Sequence, residues 1–372
     1  MITNYQICSQ CIMDTSDPEI QFDAQGICNH CYSFEEKINK IKQTDAEKKL
    51  ILQSLIQKIK QDGKNKEYDC IAGISGGVDS TYVLYKLKEM GLRPLVIHLD
   101  NGWNSELAVH NIENVIKKLN LDLYTNVLNW QEFKQLQIAY LYASVLDLEA
   151  LSDHSIFATL YREASKRNIK YIITGSNLAT EGILPSSWRY ENKLTDVINI
   201  KSIYRKFAHQ KLKNFPLMSI QKFIWYKYVK KIQTVDILNY LDFNKEEAKQ
   251  IIQEKLGWRD YGGKHHESII TRFYQGYILP QKFGIDKRRA HLSTLILSKQ
   301  LSRSEALLEM EKPIYAPSKL KEDLQYVPKK LGLSPEEFEK IMLLQPKSHD
   351  DYPTDKKWRL FFSKIKKLMR LK

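Results

Sequence analysis

Eight residues, GISGGVDS (Gly73 to Ser80), lie between a short apolar run, YDCIAGI, and a segment, STYVLYKLKEMG, that reads as a helix closed by Gly91. A buried strand, a glycine-rich turn and a helix in that order constrain the fold more than any other feature of the chain. The pattern then repeats. PLVIHLD (94–100) reads as a second strand, with a helix around 105–119 after it. DLYTNVL (122–128) reads as a third, DHSIFATLYREASKRN as a helix with Asp153 as its N-cap, and KYIITGSN as a fourth strand. Strands alternating with helices predict an α/β chain built on a doubly wound parallel sheet. Ligands of such sheets lie beyond the carboxyl ends of the strands. Three loops fall there: Ser75–Ser80, Asp100–Trp103 and Gly175–Glu181.

The rest of the chain divides around this unit. Residues 1–32 carry four of the five cysteines and form the first segment. Residues 33–66 are linker helices, with a capping box from Thr44 to Glu47. The α/β unit takes 67–210, and 211–372 reads as mostly helical. The formal charge of the 372 residues is +13, but the final 17, KKWRLFFSKIKKLMRLK, hold eight Lys/Arg and no acid. Without them 49 basic and 44 acidic residues remain, a balance of +5 that implies no nucleic-acid surface. There is no run of about 18 apolar residues to span a membrane. The N-terminus lacks the basic start and apolar stretch of a signal peptide, so a cytoplasmic setting is expected.

Cys8, Cys11, Cys28 and Cys31 follow C-x2-C-x16-C-x2-C, the spacing of a tetrahedral Zn site. Four thiolates leave no open position for water, so a structural role is expected, and His30 is surplus. Cys70 lies in the first strand and reads as a small buried hydrophobe.

Gly73-Ile74-Ser75-Gly76-Gly77 also fits G-x-S-x-G, the nucleophile elbow of hydrolases. That elbow normally follows several strands, and here a cysteine unit and helices precede it. The phosphate reading uses more of the sequence. Gly76 and Gly77 permit close backbone approach, the helix start supplies free N–H groups, and Ser75 and Ser80 add hydroxyls. The Walker pattern fails because Asp79 stands where a lysine would. A carboxylate beside a polyanion makes sense when it holds Mg²⁺.

S-G-G-x-D-S after a first strand resembles the PP-loop of the ATP pyrophosphatase superfamily (HUP-like), which includes GMP, NAD and asparagine synthetases and tRNA thiolation enzymes. The resemblance implies a loop that grips the pyrophosphate of ATP and transfers AMP to an oxygen of the substrate. TGSNLATE resembles the NAD synthetase loop whose acid helps to bind Mg²⁺, which makes Asp79 and Glu181 the metal candidates. Gly73, Ser75, Gly76, Gly77, Asp79, Ser80, Asp100, Gly175, Asn177 and Glu181 are then the expected nucleotide-binding residues.

The chain as a whole resembles the N-acetyl sugar amidotransferases of bacterial surface polysaccharide (O-antigen) and nonulosonic acid pathways. The matching stretches are CSQCIMDTSDPEIQFDAQGICNHC (8–31), GISGGVDSTYV (73–83), YIITGSNLATEG (171–182) and YGGKHHESIITRFYQGYILPQKFGIDKRRAHLSTLI (261–296). The resemblance implies ATP-dependent adenylation of a sugar N-acetyl oxygen, attack by ammonia and release of AMP to leave an acetamidino group. The substrate is then an acidic N-acetylated sugar or nucleotide-sugar. Ammonia comes from partners resembling the glutaminase and synthase subunits of imidazole glycerol phosphate synthase. With Asp79, the expected catalytic residues are Lys264, His265, Lys287 and Arg288, and His266 and Arg289 are further candidates in the same segment. Trp188, Arg189 and Tyr190 suit either a stacking wall or the core. The competing expectation is a PP-loop tRNA thiolation enzyme, against which no spare cysteine pair remains to carry sulfur. A zinc-bearing scaffold without catalysis would not need both acids. The basic amphipathic tail, 356–372, suits the inner membrane surface, the glutaminase partner or the protein's own body.

Overall fold

A computed structural model describes residues 5–41, 44–263 and 266–370. Along the chain, α1 (Asn29–Ile41) and α2 (Asp45–Gly63) precede β1 (Cys70–Gly73), α3 (Val78–Glu89), β2 (Pro94–Asp100) and α4 (Glu106–Leu119). Next come β3 (Asp122–Val127), α5 (Trp130–Ala143), α6 (Ala150–Lys166), β4 (Tyr171–Thr174), the one-turn α7 (Leu178–Glu181), α8 (Val197–Ala208), α9 (Ile220–Tyr228) and β5 (Gln233–Asp236). The remaining helices are α10 (Lys245–Leu256), α11 (Ile269–Phe273), α12 (Arg288–Leu297), α13 (Arg303–Glu311), α14 (Pro317–Leu331), α15 (Pro335–Leu343) and α16 (Lys356–Arg370). No described helix is long and apolar enough to cross a membrane.

The five strands form one parallel sheet in the order β3-β2-β1-β4-β5. The chain builds outward from β1 through β2 to β3, then returns to the other side of β1 for β4 and β5. The order reverses between β1 and β4, and that crevice is where doubly wound sheets bind ligands. Successive strand residues face opposite sides. Ala72, Val96 and Ile173 pack with Val83, Leu84, Val115 and Ile252 of α3, α4 and α10. Ile71, Ile97 and Ile172 pack with Ala158 and Tyr161 of α6 and Tyr226 of α9.

The doubly wound sheet, the N-terminal four-cysteine unit and the helical C-terminal region are all present. The capping box is formed too: Thr44 Oγ1 accepts from the Glu47 N–H at 3.2 Å, and Glu47 accepts from the Thr44 N–H at 2.7 Å. Two local expectations are corrected. The sheet draws its fifth strand from beyond residue 210, where QTVD is too short and polar to show a period. The sixth helix starts at Ala150, because Asp147 Oδ1 accepts from the Ala150 N–H at 3.1 Å. Asp153 therefore lies inside the first turn, paired with Lys193 at 2.6 Å.

After α11 the helix widens into a π-helical stretch, Tyr274–Phe283, that contains Pro280. Proline has no N–H to donate, and wide turns of this kind recur near functional sites.

Candidate functional site

β1 ends at Gly73, and the chain turns through Ile74–Gly77 into α3. Ile74 extends the sheet, its N–H donating to the Ile97 carbonyl at 2.9 Å. Its own carbonyl is held by His98 of β2. Asn104 Nδ2 lies 2.9 Å from His98 Nε2 and donates to it, which leaves Nδ1 to donate to the Ile74 carbonyl at 3.0 Å. Ser75 Oγ and Ser80 Oγ face each other at 3.3 Å, and the Gly77 N–H points to Ser75 Oγ at 3.3 Å. The first N–H groups of α3 open into the same space. Hydroxyls, a loop N–H and a helix start thus converge as anion-binding groups do.

The β4 loop closes the other side. A Cβ at Gly175 would lie 3.1 Å from both the Asp79 carbonyl carbon and the Ser80 nitrogen, so glycine lets this loop meet the start of α3 without a backbone shift. Asn177 caps α7, accepting from the Thr180 N–H at 2.8 Å and donating to the Gly175 carbonyl at 3.1 Å. Asp100 accepts from the Gly102 N–H at 2.8 Å and shapes the turn after β2. Glu181 ends α7. Among the described residues the cysteines form the one group of three or more His, Cys, Asp or Glu able to share an ion. Asp79, in the first turn of α3, and Glu181, at the end of α7, are not part of such a group.

The segment beyond α10 covers this loop. Trp258 Nε1 and Tyr261 Oη both donate to the Gly76 carbonyl, at 2.7 and 2.9 Å. Burial raises the Tyr261 phenol further above the usual tyrosine range, so it remains a donor. Arg259 and Asn111 exchange hydrogen bonds at 2.9 and 2.8 Å. The Glu267 carbonyl accepts from the Ser105 N–H at 2.9 Å, and a Cβ at Gly77 would lie 3.3 Å from Glu267 Oε1. The matching stretch 261–296 gives its basic residues a role, but the sequence assigns none to Trp258, Tyr261 or His98. The density of Gly, His, Lys, Arg and Tyr there is the available signal, since a contact across some 180 residues leaves no mark on local periodicity.

Of the expected basic residues, Lys264 and His265 lie outside the described residues. Lys287 pairs with Glu149 at 2.6 Å, and Gln275 donates to the other oxygen of Glu149 at 2.8 Å. Glu149 is adjacent to the start of α6, near the β2 loop, where Asn101 Nδ2 donates to Ser152 Oγ at 3.2 Å. Arg288 is taken up by Asp286 at 2.8 Å and by the Lys312 carbonyl at 2.9 Å. Arg289 holds Asp14 at 2.9 Å. Trp188 is fully buried, and Tyr190 stacks on His349 with centroids 4.0 Å apart, so these rings are packed and form no open wall.

The four cysteines converge. The Sγ atoms of Cys8 and Cys31, Cys11 and Cys28, and Cys28 and Cys31 lie 3.7, 3.6 and 3.7 Å apart. The N–H groups of Cys11 and Cys28 point to Cys8 Sγ at 3.4 and 3.3 Å. Sulfurs this close repel one another as thiolates. A single cation would let all four ionise. His30 is engaged elsewhere, 2.6 Å from Asp17. The unit sits on the C-terminal helices: Arg303 donates to the carbonyls of Cys11 and Cys8, each at 2.9 Å, and Ser293 Oγ accepts from the Ile12 N–H at 3.1 Å.

No curated protein sequence is significantly similar to the chain. Among solved structures, an NH3-dependent NAD synthetase from Campylobacter jejuni superposes with 15% identity over 77% of this chain and 97% of its own, at a TM-score of 0.30. NMN synthetase from Francisella tularensis does so with 14% identity over 61% and 96%, at 0.29. The U34-tRNA thiolase NcsA from Methanococcus maripaludis, which carries a [4Fe-4S] cluster, gives 14% identity over 83% and 89%, at 0.34. Residues 267–366, which run from Glu267 beside the loop into α16, match the model of the LPS biosynthesis protein WbpG-like C-terminal domain, and this segment is similar to that domain of lipopolysaccharide biosynthesis.

Proposed function

We propose that the chain is an ATP-dependent, AMP-forming amidotransferase of surface polysaccharide biosynthesis. The observation that carries this reading is the seating of Glu267, where the segment similar to an LPS biosynthesis domain begins, directly against Gly77 of the anion-binding loop. A nucleotide-phosphate site and a polysaccharide-biosynthesis segment would then be direct neighbours.

In this reading the loop donors hold the ATP phosphates. Asp79, with Glu181, holds Mg²⁺, which supplies charge neutralisation for the polyanion. The N-acetyl oxygen of an acidic sugar attacks the α-phosphorus, the bond to pyrophosphate breaks, and an O-adenylyl imidate forms. Ammonia adds to the imidate carbon, the C–O bond breaks, and AMP leaves with the oxygen. The product is an acetamidino group. An amide oxygen is a poor leaving group until AMP is attached to it, which is why ATP is consumed.

Ammonia arrives from a separate glutaminase in this reading. Cys70 is fully buried in β1 and its thiol is raised by burial, so it is no nucleophile. The remaining cysteines suit zinc: a tetrahedron with arms of about 2.3 Å has edges of about 3.8 Å, close to the sulfur separations.

The test is incubation with ATP, Mg²⁺, ammonium and acidic N-acetyl sugars, followed by mass spectrometry. AMP, pyrophosphate and replacement of one oxygen by NH are expected. Ammonium should serve and glutamine should not, unless a partner is added. Asp79→Asn should abolish AMP formation with melting unchanged. Normal turnover by that variant, or sulfur transfer to tRNA, overturns the reading.

A further inference from the structure

Two side-chain donors on one backbone oxygen is an arrangement that needs a reason. The Gly76 carbonyl takes both Trp258 Nε1 and Tyr261 Oη, from residues 182 and 185 positions downstream. Gly76 has φ +87°, and a Cβ there would lie 2.9 Å from Tyr261 Oη and 3.2 Å from the Ala108 carbonyl oxygen. Both the conformation and the space demand glycine.

The Gly76–Gly77 peptide has a glycine on each side, so little in the local chain prevents it from rotating as a unit. In a trans peptide the C=O and N–H point in opposite directions. Whatever pulls the Gly76 oxygen outward therefore turns the Gly77 N–H inward. That N–H faces Ser75 Oγ at 3.3 Å, among the groups opposite Ser80. The rotated peptide would aim a carbonyl oxygen at the phosphates.

We infer that Trp258 and Tyr261 are positioning residues that set the Gly76–Gly77 peptide in its phosphate-binding orientation. The inference rests on the loop being the nucleotide-phosphate site. Both side chains come from outside the sheet, so the grip on phosphate is decided by the segment that leads to Glu267. Their placement is firm. Trp258 is 2% exposed, its ring meets the Tyr261 ring edge-on with centroids 5.5 Å apart, and the Arg259–Asn111 pair fixes the backbone between them.

The two donors share one acceptor, which predicts a particular pattern of losses. Removing either leaves a bond that still holds the oxygen outward, while removing both frees the peptide. Binding of a methylene-bridged ATP analogue with Mg²⁺ should be measured on the full chain, with adenosine as control. Tyr261→Phe and Trp258→Phe should each weaken the analogue by no more than about fivefold, because the remaining donor still holds the oxygen outward. The double variant should weaken it on the order of a hundredfold, more than the product of the single effects. Adenosine binding should not change in any of them. Tyr261→Phe keeps the ring and removes only a hydroxyl, so it reports even where the double variant fails to fold. Wild-type analogue affinity in the variants that fold, or an equal loss for adenosine, overturns the inference. A wild-type chain that binds neither the analogue nor pyrophosphate overturns the phosphate reading itself, and the inference with it.

Discussion

His154 shows how one residue can be fixed in a single protonation state. It is fully buried on α6, with Nδ1 donating to the Lys193 carbonyl at 2.8 Å and Nε2 accepting from the Met218 N–H at 3.0 Å. Both ring nitrogens are used by the neutral form, and burial pushes the group down to about 4. His349, packed on Tyr190, is likewise pushed down to about 4 by burial. The unfolded chain binds these protons near pH 6.5 and the folded chain does not, so stability is complete above that pH and is lost as pH falls toward 4. Asp355 acts in the opposite sense, raised by burial to about 6, but by a smaller shift. The chain should therefore melt lower at pH 5 than at pH 7, and His154→Gln should flatten that slope. His154 alone accounts for about 3 kcal/mol across the window. A pH-independent melting temperature, or an unchanged slope in the variant, contradicts this assignment.

At the scale of elements, α16 is tied down at its start while large apolar side chains of its first two turns are exposed. Arg359 donates to Asp355 and to Thr195 Oγ1, each at 2.6 Å, which docks the first turn beside α8. Trp358, Leu360 and Phe361 are 45%, 57% and 52% exposed, on a helix whose sequence is rich in Lys/Arg and free of acids. Of the three readings of the tail, the membrane one makes the sharpest prediction, because lysines and aromatics together are typical of interfacial helices, while an apolar stripe equally suits a partner or the protein's own body. Full-length protein should co-sediment with anionic vesicles, less so at high salt, where the Debye length falls below the roughly 8 Å of physiological buffer. A chain truncated after Asp355 should stay in solution. Equal sedimentation of both removes the membrane reading, and loss of partner-dependent glutamine use on truncation assigns the tail to the partner.

Across the whole molecule, the cysteine unit acts as a brace between the two ends of the sequence. Arg303 and Arg289 bind its backbone and Asp14, and Ile12 packs with Leu292 and Ala306 of α12 and α13. A metal held by the four cysteines would order residues 5–31 and also secure α12, at whose start Lys287 meets Glu149. Metal analysis should give about one zinc per chain. Cys8→Ser should release it and lower the melting temperature by at least several degrees, because a structural zinc adds directly to folding stability. Iron in place of zinc would correct the metal, and a metal-free wild-type chain that melts like Cys8→Ser would refute the site.

Much of this was legible without coordinates. The strand–loop–helix of Gly73–Ser80 was legible because apolar runs, glycines and periodicity are local properties, and the C-x2-C pairs because knuckle spacing is local too. β5 was not, since QTVD becomes a strand only by pairing with β4. The fate of the basic residues was not either. Arg288 and Arg289 look like free cations in sequence, yet Asp286 two residues away takes the first, and only the fold brings Asp14 to the second. What the sequence determined by itself is the strand–loop–helix around Gly73–Ser80, the cysteine knuckles and the chemistry of the loop. Only the tertiary structure decided which distant side chains complete that loop, because Trp258 and Tyr261 reach Gly76 through chain packing that no local pattern encodes.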